Sequence, residues 1–326
     1  MLLLVRKIQA MTPLNMKDLR DFGPMLYIPA DRHGLEDFLF GEKSASLHAI
    51  AICLEDAVRP EHRYDAARAL GGWLPRLPKQ RPWRLYIRPA DEDVLARVLD
   101  LPGVEHFDGF IIPKATPKRL AIWLRETAGR FPLIPILETR EALDPTGRHD
   151  LGAACADLRQ HIPRVRVGAN DLFSLLGGLR RPRGRSIYET PVGHVSDSLI
   201  EVFSRIGIPL SGSAFDRTDD LATLEREARD DVARGLFAKT ALNPTQAEVI
   251  AATYQPEPGE IEAARRIVHP DTPAVFNLHG TMHEPACHLT WARHVLERNA
   301  AFESFYDRRG NAGGIPGCID RAAKFT

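Results

Sequence analysis

The stretch FPLIPILETREA, residues 131–142, decides how the rest of the chain is interpreted. Its first seven residues, Phe131 to Leu137, are almost wholly apolar, and they end abruptly at Glu138 and Thr139. A short apolar run bounded by polar residues is typical of a strand buried on both faces, as in a parallel sheet. The stretch therefore predicts a buried strand with a carboxylate at its carboxyl end.

Seven other segments follow the same design and alternate with amphipathic stretches. The predicted strands cover residues 25–29, 49–54, 83–87, 109–113, 132–137, 164–169, 208–215 and 236–242. Stretches between them, such as PKRLAIWLRETAGR at 117–130, repeat apolar residues every three or four positions, as a helix with one buried face requires. Eight such units predict an α/β fold, a closed (β/α)₈ TIM barrel. No G-x-G-x-x-G follows the first strand, which disfavours a dinucleotide-binding sheet.

The chain divides into a barrel and two flanking segments. Residues 1–24 are a lead-in, 25–268 the catalytic barrel and 269–326 a C-terminal extension. The apolar pattern of the extension predicts an amphipathic helix from Ala286 to about Phe305, followed by a loosely held terminus. We expect it to pack on a neighbouring subunit, and therefore a homo-oligomer, a trimer or a multiple of one.

Composition narrows the class of protein. The 326 residues are 44% hydrophobic, too apolar for a disordered chain, and Lys+Arg and Asp+Glu both number 43. This balance does not indicate a nucleic-acid or membrane-surface partner. With no apolar run of roughly 18 residues and no signal-peptide pattern, we expect a cytoplasmic protein. The four cysteines form no C-x-x-C pair and are expected to be reduced: Cys53, Cys155, Cys287 and Cys318.

Each predicted strand is followed by a polar side chain. The carboxyl ends of the strands surround the active-site mouth of such a barrel, so these side chains form a polar ring. About half are expected to be salt bridges at the rim. In chain order the ring contains Asp31 and Arg32, Glu55 and Asp56, Arg88, Lys114, Glu138, Asp171, Asp216 and Asn243.

Glu138 and Asp171 follow consecutive strands and are the candidate metal ligands. Neighbouring strands lie about 4.8 Å apart, so the two carboxylates could share one cation. Mg²⁺ is usually held by carboxylates together with water and substrate oxygens, and Mn²⁺ is possible at such a site. The alternative is that each carboxylate pairs with its own lysine or arginine.

The ordered motifs resemble a known family. MLYIPADR, AICLEDAV, FIIPK, PLIPILET, VRVGANDL and AKTALNPTQAEVI occur in the order found in the citrate lyase β-subunit and malyl-CoA lyase family, the HpcH/HpaI aldolases, and YQPEPGEIEAARRIV (254–268) resembles its next helix. The likeness spans about residues 24 to 300. TPVGHVSDSL and HGTMHEPACHLTWARHVL more weakly resemble a subgroup of carbon–carbon-bond lyases linked to tellurite-resistance-type gene clusters.

This resemblance implies a chemistry and a set of residues. Glu138 and Asp171 would bind Mg²⁺, and Glu55 and Asp56 would belong to the polar network around the metal and its waters. The implied reaction cleaves or forms a carbon–carbon bond next to a carboxylate or thioester, so a CoA thioester is a possible substrate.

The sequence departs from the family at two positions. Where the family has an arginine in the third strand, the nearest alignment has Tyr86, with Arg88 two residues later on the same face. The eighth strand ends in Asn243-Pro244 where the family commonly has His-Pro. Arg88 and Arg32 are candidates for clamping a substrate carboxylate, and Asn243 for contacting the substrate.

The other catalytic candidates are acids and lysines. Glu55 or Asp56 could direct a water that removes the hydroxyl proton, or could instead cap a helix or pair with an arginine such as Arg68. Lys114 and Lys239 could form a Schiff base, although a lysine here more commonly neutralises a carboxylate.

Two further segments allow more than one interpretation. The arginine-rich loop GGLRRPRGR, residues 177–185, could receive phosphates of CoA or of a sugar phosphate, or be a solvated loop or subunit contact. Packing and surface roles are favoured over a metal site for the tail histidines, because Pro285 interrupts any helix shared by His279, His283, His288 and His294.

The sequence thus predicts a Mg²⁺-dependent lyase of the citryl- or malyl-CoA type, acting by retro-Claisen or retro-aldol cleavage. One alternative is an aldolase on free 2-keto acids without CoA. The other is a catalytically altered barrel that acts as a binding or scaffold protein, since a fold alone does not establish activity.

Overall fold

A computed structural model describes residues 22–41 and 47–310, with side chains up to residue 303. Eight parallel strands form one sheet in the order β7-β6-β5-β4-β3-β2-β1-β8. A bridge between Gly212 and Lys239, with a 2.7 Å hydrogen bond from Gly212 N to Ala238 O, joins β7 to β8. The predicted TIM barrel is therefore confirmed.

The strands match the sequence prediction in place but not always in length. They are β1 (Gly23–Pro29), β2 (Ala49–Leu54), β3 (Arg84–Pro89), β4 (Gly109–Ile112), β5 (Leu133–Leu137), β6 (Val165–Val167), β7 (Leu210–Ser211) and β8 (Ala238–Ala241). β7 covers two of the eight residues predicted for it. Arg88 lies inside β3 rather than after it, so its side chain faces the barrel interior below the rim.

Helices follow the strands and shield them from solvent. In the barrel they are α1 (Leu35–Phe40), α2 (Arg63–Leu70), α3 (Glu92–Leu99), α4 (Pro117–Glu126), α5 (Arg140–Leu143), α6 (Pro145–Asp157), α7 (Ala169–Leu175), α8 (Pro191–Arg205), α9 (Leu221–Ala233), α10 (Pro244–Tyr254) and α11 (Pro258–Val268). No described helix is both long and apolar enough to cross a bilayer. The cytoplasmic location stays a prediction.

Several helix starts are encoded locally. Asp91, Thr116 and Asp220 each accept a hydrogen bond from the backbone N–H three residues later, which satisfies a donor that the first helical turn leaves free. Proline follows the cap residue in α4 and α10, where its fixed φ suits the first turn. These signals set where each helix begins and hence the length of the loop at the mouth.

Apolar side chains occupy two layers. The larger lies between strands and helices and includes Leu26, Ile52, Phe110 and Trp123, all buried. The smaller fills the inside of the barrel with Met25, Ala49, Ala51, Tyr86, Ile111, Ile134 and Ile136. Tyr86 is therefore part of the barrel's inner packing.

The C-terminal extension contains a hairpin, β9 (Phe276–Leu278) with β10 (Thr281–His283), and a long helix, α12 (Pro285–Gly310). Val295 of α12 packs on Ile267 of α11, and Ala301 packs on Phe22 and Phe237. Phe22 and Phe237 precede β1 and β8, so α12 lies at the barrel end opposite the mouth, on its own chain. Packing on a neighbouring subunit, and the oligomer, stay predictions.

Candidate functional site

Glu138 follows β5 directly and is buried, with 5% of its surface exposed. Its Oε1 accepts a 2.8 Å hydrogen bond from the backbone N–H of Lys114, the residue two positions after β4. The carboxylate is thus fixed between two neighbouring strand ends. The carboxylate that follows this apolar strand is therefore not a solvated strand end, because Glu138 points into the mouth of the barrel.

Gly168, between β6 and α7, makes room for this carboxylate. A Cβ at this position would lie 2.2 Å from Glu138 Oε2 and 2.5 Å from Glu138 Cβ. The φ of Gly168 is −101°, so glycine is needed here for space and not for backbone conformation. Only glycine lets β6 approach Glu138 this closely.

Substituting alanine for Gly168 is expected to displace the Glu138 carboxylate and to weaken Mg²⁺ binding about 10- to 100-fold, the range for residues that orient metal ligands. Isothermal titration with Mg²⁺ measures this. Gly259→Ala is the control, since a Cβ there would meet only an ordinary 3.8 Å contact with His279. Unchanged Mg²⁺ affinity in Gly168→Ala would show that Glu138 does not need its present position.

Asp171 lies in the first turn of α7, and its side chain is 33% exposed. Burial and the negative charge of Asp171 raise the pKa of Glu138 to about 7. Two carboxylates of consecutive strand–helix units therefore repel each other at the mouth. Such repulsion is relieved when a divalent cation binds between the two groups.

Lys114 joins the acidic groups of the mouth. Its Nζ lies 2.5 Å from Glu55 Oε1, 3.7 Å from Asp56 Oδ1 and 3.9 Å from Asp171 Oδ1. Burial alone would lower the pKa of Lys114, but the hydrogen bond to Glu55 and the surrounding carboxylates raise it. The amine is consequently an ammonium ion at neutral pH, which disfavours a Schiff base and favours the neutralising role.

Glu55 and Asp56, directly after β2, have opposite environments. Burial would raise the pKa of Glu55, but the Arg88 charge and the Lys114 hydrogen bond outweigh it and lower the pKa to about 2. Burial, followed by the hydrogen bond and charge of Glu55, raises the pKa of Asp56. Two carboxyl groups whose pKa values are shifted in opposite directions can have different roles. Glu55 stays ionised, and Asp56 is better placed to exchange a proton.

Arg88 is occupied by protein atoms. Its Nη1 lies 3.1 Å from Glu55 Oε2, its Nη2 donates to Cys53 Sγ at 3.0 Å, and its guanidinium lies 5.2 Å from the Tyr27 ring centroid. The predicted clamping of a substrate carboxylate would have to compete with Glu55. We infer that Arg88 positions Glu55.

The two other predicted substrate contacts, Arg32 and Asn243, have partners of their own in the protein. Arg32 is exposed, and its guanidinium lies 5.6 Å from the Phe38 ring centroid. Asn243 caps α10, where its Oδ1 accepts a 2.9 Å hydrogen bond from Gln246 N. The Asn243 side chain thus has a structural task, and a substrate contact by either residue stays a prediction.

Lys239 faces outward from the barrel rather than into the mouth. Its Nζ donates to Glu227 Oε1 at 3.0 Å and Asp231 Oδ2 at 2.8 Å, both on α9. Burial would lower the pKa of Lys239, but Asp231 and Glu227 raise it. This charged, enclosed lysine does not have the environment of a nucleophile.

The arginine-rich loop, residues 177–185, is tied down by acidic side chains. Arg181 is fully buried and binds Asp216 and Glu227. Each of the other three arginines lies within 4 Å of a carboxylate: Arg180 of Asp216, Arg183 of Asp219 and Arg185 of Glu189. These ion pairs favour a structural role for the loop over phosphate binding. Asp216, predicted to belong to the polar ring at the mouth, instead pairs with Arg180 and Arg181 of this loop.

The histidines of the extension make packing and surface contacts, and among them the rings of His283 and His288 meet edge to face, with centroids 6.0 Å apart. His279 lies 2.8 Å from Glu262, His283 stacks on Phe276, and His294 contacts the Phe237 ring. Cys53 and Cys155 are buried and Cys287 is exposed, all as free thiols, while Cys318 lies outside the described residues. Within residues 22–41 and 47–310, no three His, Cys, Asp or Glu side chains are grouped so as to hold a metal ion.

The residues at the mouth fit a Mg²⁺ site that is completed by water and substrate better than a metal site formed by protein ligands alone. Glu138 and Asp171 could supply two oxygen ligands, and Gly168 has no side chain to displace the Glu138 carboxylate. Mg²⁺ typically takes one or two carboxylates and completes its octahedron with water and substrate. A fully protein-bound zinc site would need more protein ligands than these two.

Sequence reasoning missed residues inside the barrel. Tyr27 and Arg166 face the interior, where Arg166 Nη1 donates a 2.7 Å hydrogen bond to Tyr27 Oη. The signal was present in RVRVGA, where arginines two residues apart interrupt an otherwise apolar strand. Because side chains alternate along a strand, Arg164 and Arg166 point to the same face.

Comparisons with known proteins agree with this fold. A citrate lyase subunit beta-like protein of Mycobacterium tuberculosis is 28% identical over 256 residues, 77% of this chain and 86% of that protein. A (3S)-malyl-CoA thioesterase of Cereibacter sphaeroides is 26% identical over 247 residues, 75% of this chain and 81% of that protein.

Solved structures show the same architecture. The CitE protein of M. tuberculosis, crystallised with magnesium, acetoacetate and coenzyme A, superposes with a TM-score of 0.66 at 24% identity. The match covers 86% of this chain and 99% of that one. RipC from Yersinia pestis matches with a TM-score of 0.54 at 22% identity, over 75% and 100% of the respective chains.

The family of C–C bond lyases of the TIM-barrel fold matches residues 17–303, which is most of the sequence and includes both candidate metal ligands. On this match, the chain belongs to the TIM-barrel C–C bond lyase family.

Proposed function

We propose that this protein is a Mg²⁺-dependent lyase that cleaves or forms a carbon–carbon bond next to a carbonyl of a 2-hydroxy or 2-keto acid, or of its CoA thioester. The observation that carries the proposal is the pair Glu138 and Asp171, in which burial of Glu138, together with the negative charge of Asp171, raises the pKa of Glu138 to about 7. Both carboxylates face a mouth that also holds the Lys114 ammonium ion.

Cleavage of such a bond leaves negative charge on the carbonyl oxygen of one fragment. Mg²⁺ held by Glu138 and Asp171 would act as a Lewis acid and stabilise that charge. Lys114, 3.9 Å from Asp171, would add a second positive charge and hold Glu55 in place through their 2.5 Å hydrogen bond. The protein therefore concentrates positive charge where negative charge develops.

A proton must leave the substrate hydroxyl, and Asp56 is the better candidate to accept it. Its raised pKa brings it nearer to the operating pH, whereas Glu55 stays ionised and paired with Arg88 and Lys114. The side chain of Asp56 is also 60% exposed, so it can reach a bound molecule or a water.

The substrate is expected to be citryl-CoA-like, malyl-CoA-like or the corresponding free acid. The relatives named above favour a thioester, since one is a malyl-CoA thioesterase and a related structure contains coenzyme A. The paired arginines of the 177–185 loop favour the alternative, an aldolase on free 2-keto acids. Alanine substitution of Arg180, Arg183 and Arg185 tests whether the loop binds a thioester substrate, and Arg181 is left unchanged because Arg181→Ala would disrupt a buried ion network.

Proton exchange in D₂O tests the proposal. Pyruvate, oxaloacetate and acetyl-CoA are each incubated with Mg²⁺ and the protein, and NMR follows loss of the C–H signal next to the carbonyl. Exchange that needs both protein and metal identifies the fragment that becomes the enolate. Mg²⁺ binding without exchange or cleavage of any of these, or of citryl- and malyl-CoA, would favour a binding or scaffold protein.

Mg²⁺ binding should weaken as the pH falls through about 7. The raised pKa means that Glu138 of the metal-free protein is increasingly protonated below that value, and a metal ligand must lose its proton first. We expect up to about a tenfold weaker affinity per pH unit below 7. Calorimetry in two buffers of different ionisation enthalpy should show nearly one proton released at pH 6 and almost none at pH 8.5; equal release at both would contradict the prediction.

A further inference from the structure

Arg166 of β6 is a buried cation that makes no direct ion pair within the described part of the chain, although its charge acts on the nearby Glu138 carboxylate and lowers the pKa of that group against the larger effects of burial and Asp171. It is 8% exposed, and its recorded hydrogen bond goes to the neutral Tyr27 hydroxyl. Its Nε is buried and makes no hydrogen bond to any described residue. Buried charges are normally paired, so this guanidinium indicates an anion that arrives from outside the protein.

A second buried donor lies on the neighbouring strand segment. Ser213, two residues beyond Ser211 of β7, is 1% exposed, and its Oγ has no hydrogen-bond partner among the described residues. β6 and β7 pair Arg166 with Ser211, so alternation turns Arg166, Ser211 and Ser213 toward the barrel interior. Arg166 and Ser213 thus each direct an unsatisfied buried donor toward the barrel interior.

A small cavity adjoins Arg166 inside the barrel. The cavity has a volume of about 10 Å³, which is room for one water and hence for one carboxylate oxygen. Its wall includes Tyr27, Arg164, Arg166 and Ser211, while Met25 and Ile134 contribute apolar surface. The space is too small for a whole carboxylate, so a carboxylate bound to Arg166 could place only one of its oxygens there.

The cavity lies below the candidate metal ligands. Arg166 lies two residues before Gly168 in the chain, and Gly168 Cα faces the Glu138 carboxylate. Arg88 is nearby, since its guanidinium and that of Arg166 lie 5.2 and 4.7 Å from the Tyr27 ring centroid. Arg88 already pairs with Glu55, whereas Arg166, the other guanidinium at the Tyr27 ring, makes no direct ion pair with a described residue.

We propose that Arg166, assisted by Ser213, binds the substrate carboxylate that lies deepest in the barrel, distal to the end held at Glu138 and Asp171. This inference rests on the proposed function and narrows its substrates to acids that keep a second free carboxylate. Arg166 offers several N–H donors to such a group, and Tyr27 fixes the guanidinium in place. Any larger part of the substrate extends outward through the mouth.

Malate and lactate test the proposal without turnover, because they differ in the distal carboxylate. Calorimetric titration of the Mg²⁺-loaded protein should show tighter binding of malate. Arg166→Gln should weaken malate binding about 10- to 100-fold and lactate binding less than about threefold. Arg166→Lys keeps the positive charge but not the planar guanidinium group, and it should therefore bind malate more tightly than Arg166→Gln does. Ser213→Ala, a small change in a buried site, should cost about 3- to 10-fold for malate alone.

The control is Arg84→Gln, which removes an arginine of β3 whose Nη1 lies 3.0 Å from Asp108 Oδ1. It is expected to leave the malate-to-lactate ratio unchanged even if it lowers the melting temperature. A wild-type ratio near one, or a ratio unaffected in both Arg166→Gln and Ser213→Ala, overturns the proposal. Wild-type protein that does not bind Mg²⁺ overturns the proposed function instead, and the ratio measured without metal then still tests Arg166.

Discussion

Glu138→Gln is expected to reduce Mg²⁺ affinity at least about 100-fold and metal-dependent exchange or cleavage about 1000-fold or more, because several kcal/mol of charge stabilisation depend on the bound ion. Glutamine has nearly the same shape, and its Oε1 can still accept the hydrogen bond from Lys114 N. The substitution therefore removes charge while leaving the packing in place. Calorimetry with Mg²⁺ and the D₂O exchange assay measure the two effects.

The same variant should be more stable than the wild type when no metal is present. The folded-state pKa of Glu138 is raised from 4.5 to about 7, so the stability that its protonated form contributes is present below pH 4.5 and lost as the pH rises through 7. Glutamine does not ionise, and we expect a gain of up to about 3 kcal/mol in the free energy of unfolding at pH 8. Urea unfolding at pH 5 and pH 8 measures this difference.

Glu248→Gln on the exposed face of α10 is the control and should change neither quantity. Wild-type Mg²⁺ affinity in Glu138→Gln would place the metal elsewhere and contradict the proposed function. A loss of stability at pH 8 would show instead that the ionised carboxylate is well compensated by its surroundings.

Glu227→Gln is expected to destabilise the fold by about 3–5 kcal/mol, the cost of removing one partner from a buried ion network. Glu227 is fully buried on α9, where it binds Arg181 and Lys239 and accepts a 2.7 Å hydrogen bond from Ile187 N. An amide in its place leaves two buried cations with one carboxylate fewer. Urea unfolding followed by tryptophan fluorescence measures the change.

The same helix offers a matched control. Glu225 also pairs with an arginine, Arg229, at 2.5 Å, but both side chains are exposed. Glu225→Gln should therefore change stability by no more than about 0.5 kcal/mol. Glu227→Gln protein that remains folded should bind Mg²⁺ normally, because the network lies outside the barrel wall. A loss below about 1 kcal/mol would mean that the network contributes little net stability.

Much of the fold could be predicted from the sequence because its signals are local. Apolar runs such as Phe131–Leu137 indicate buried strands, and helix starts are marked by cap residues such as Thr116 followed by proline. The pairing order of eight parallel strands then follows from the alternation of strands and helices. The position of Glu138 at a strand end was predictable for the same reason.

The sequence alone determined which side chains the barrel has to place, and only the tertiary structure decided which of them meet. Lys114 and Glu55 are 59 residues apart, and Arg181 and Glu227 are 46 apart, so closure of the sheet and the path of each loop set their contacts. As motifs, Lys239 could have formed a Schiff base and the arginine-rich loop could have received phosphates, yet the structure places Lys239 and Arg181 in an ion network outside the barrel wall. Arg166 was hidden in an apolar strand, because whether a buried charge finds a partner depends on every strand around it.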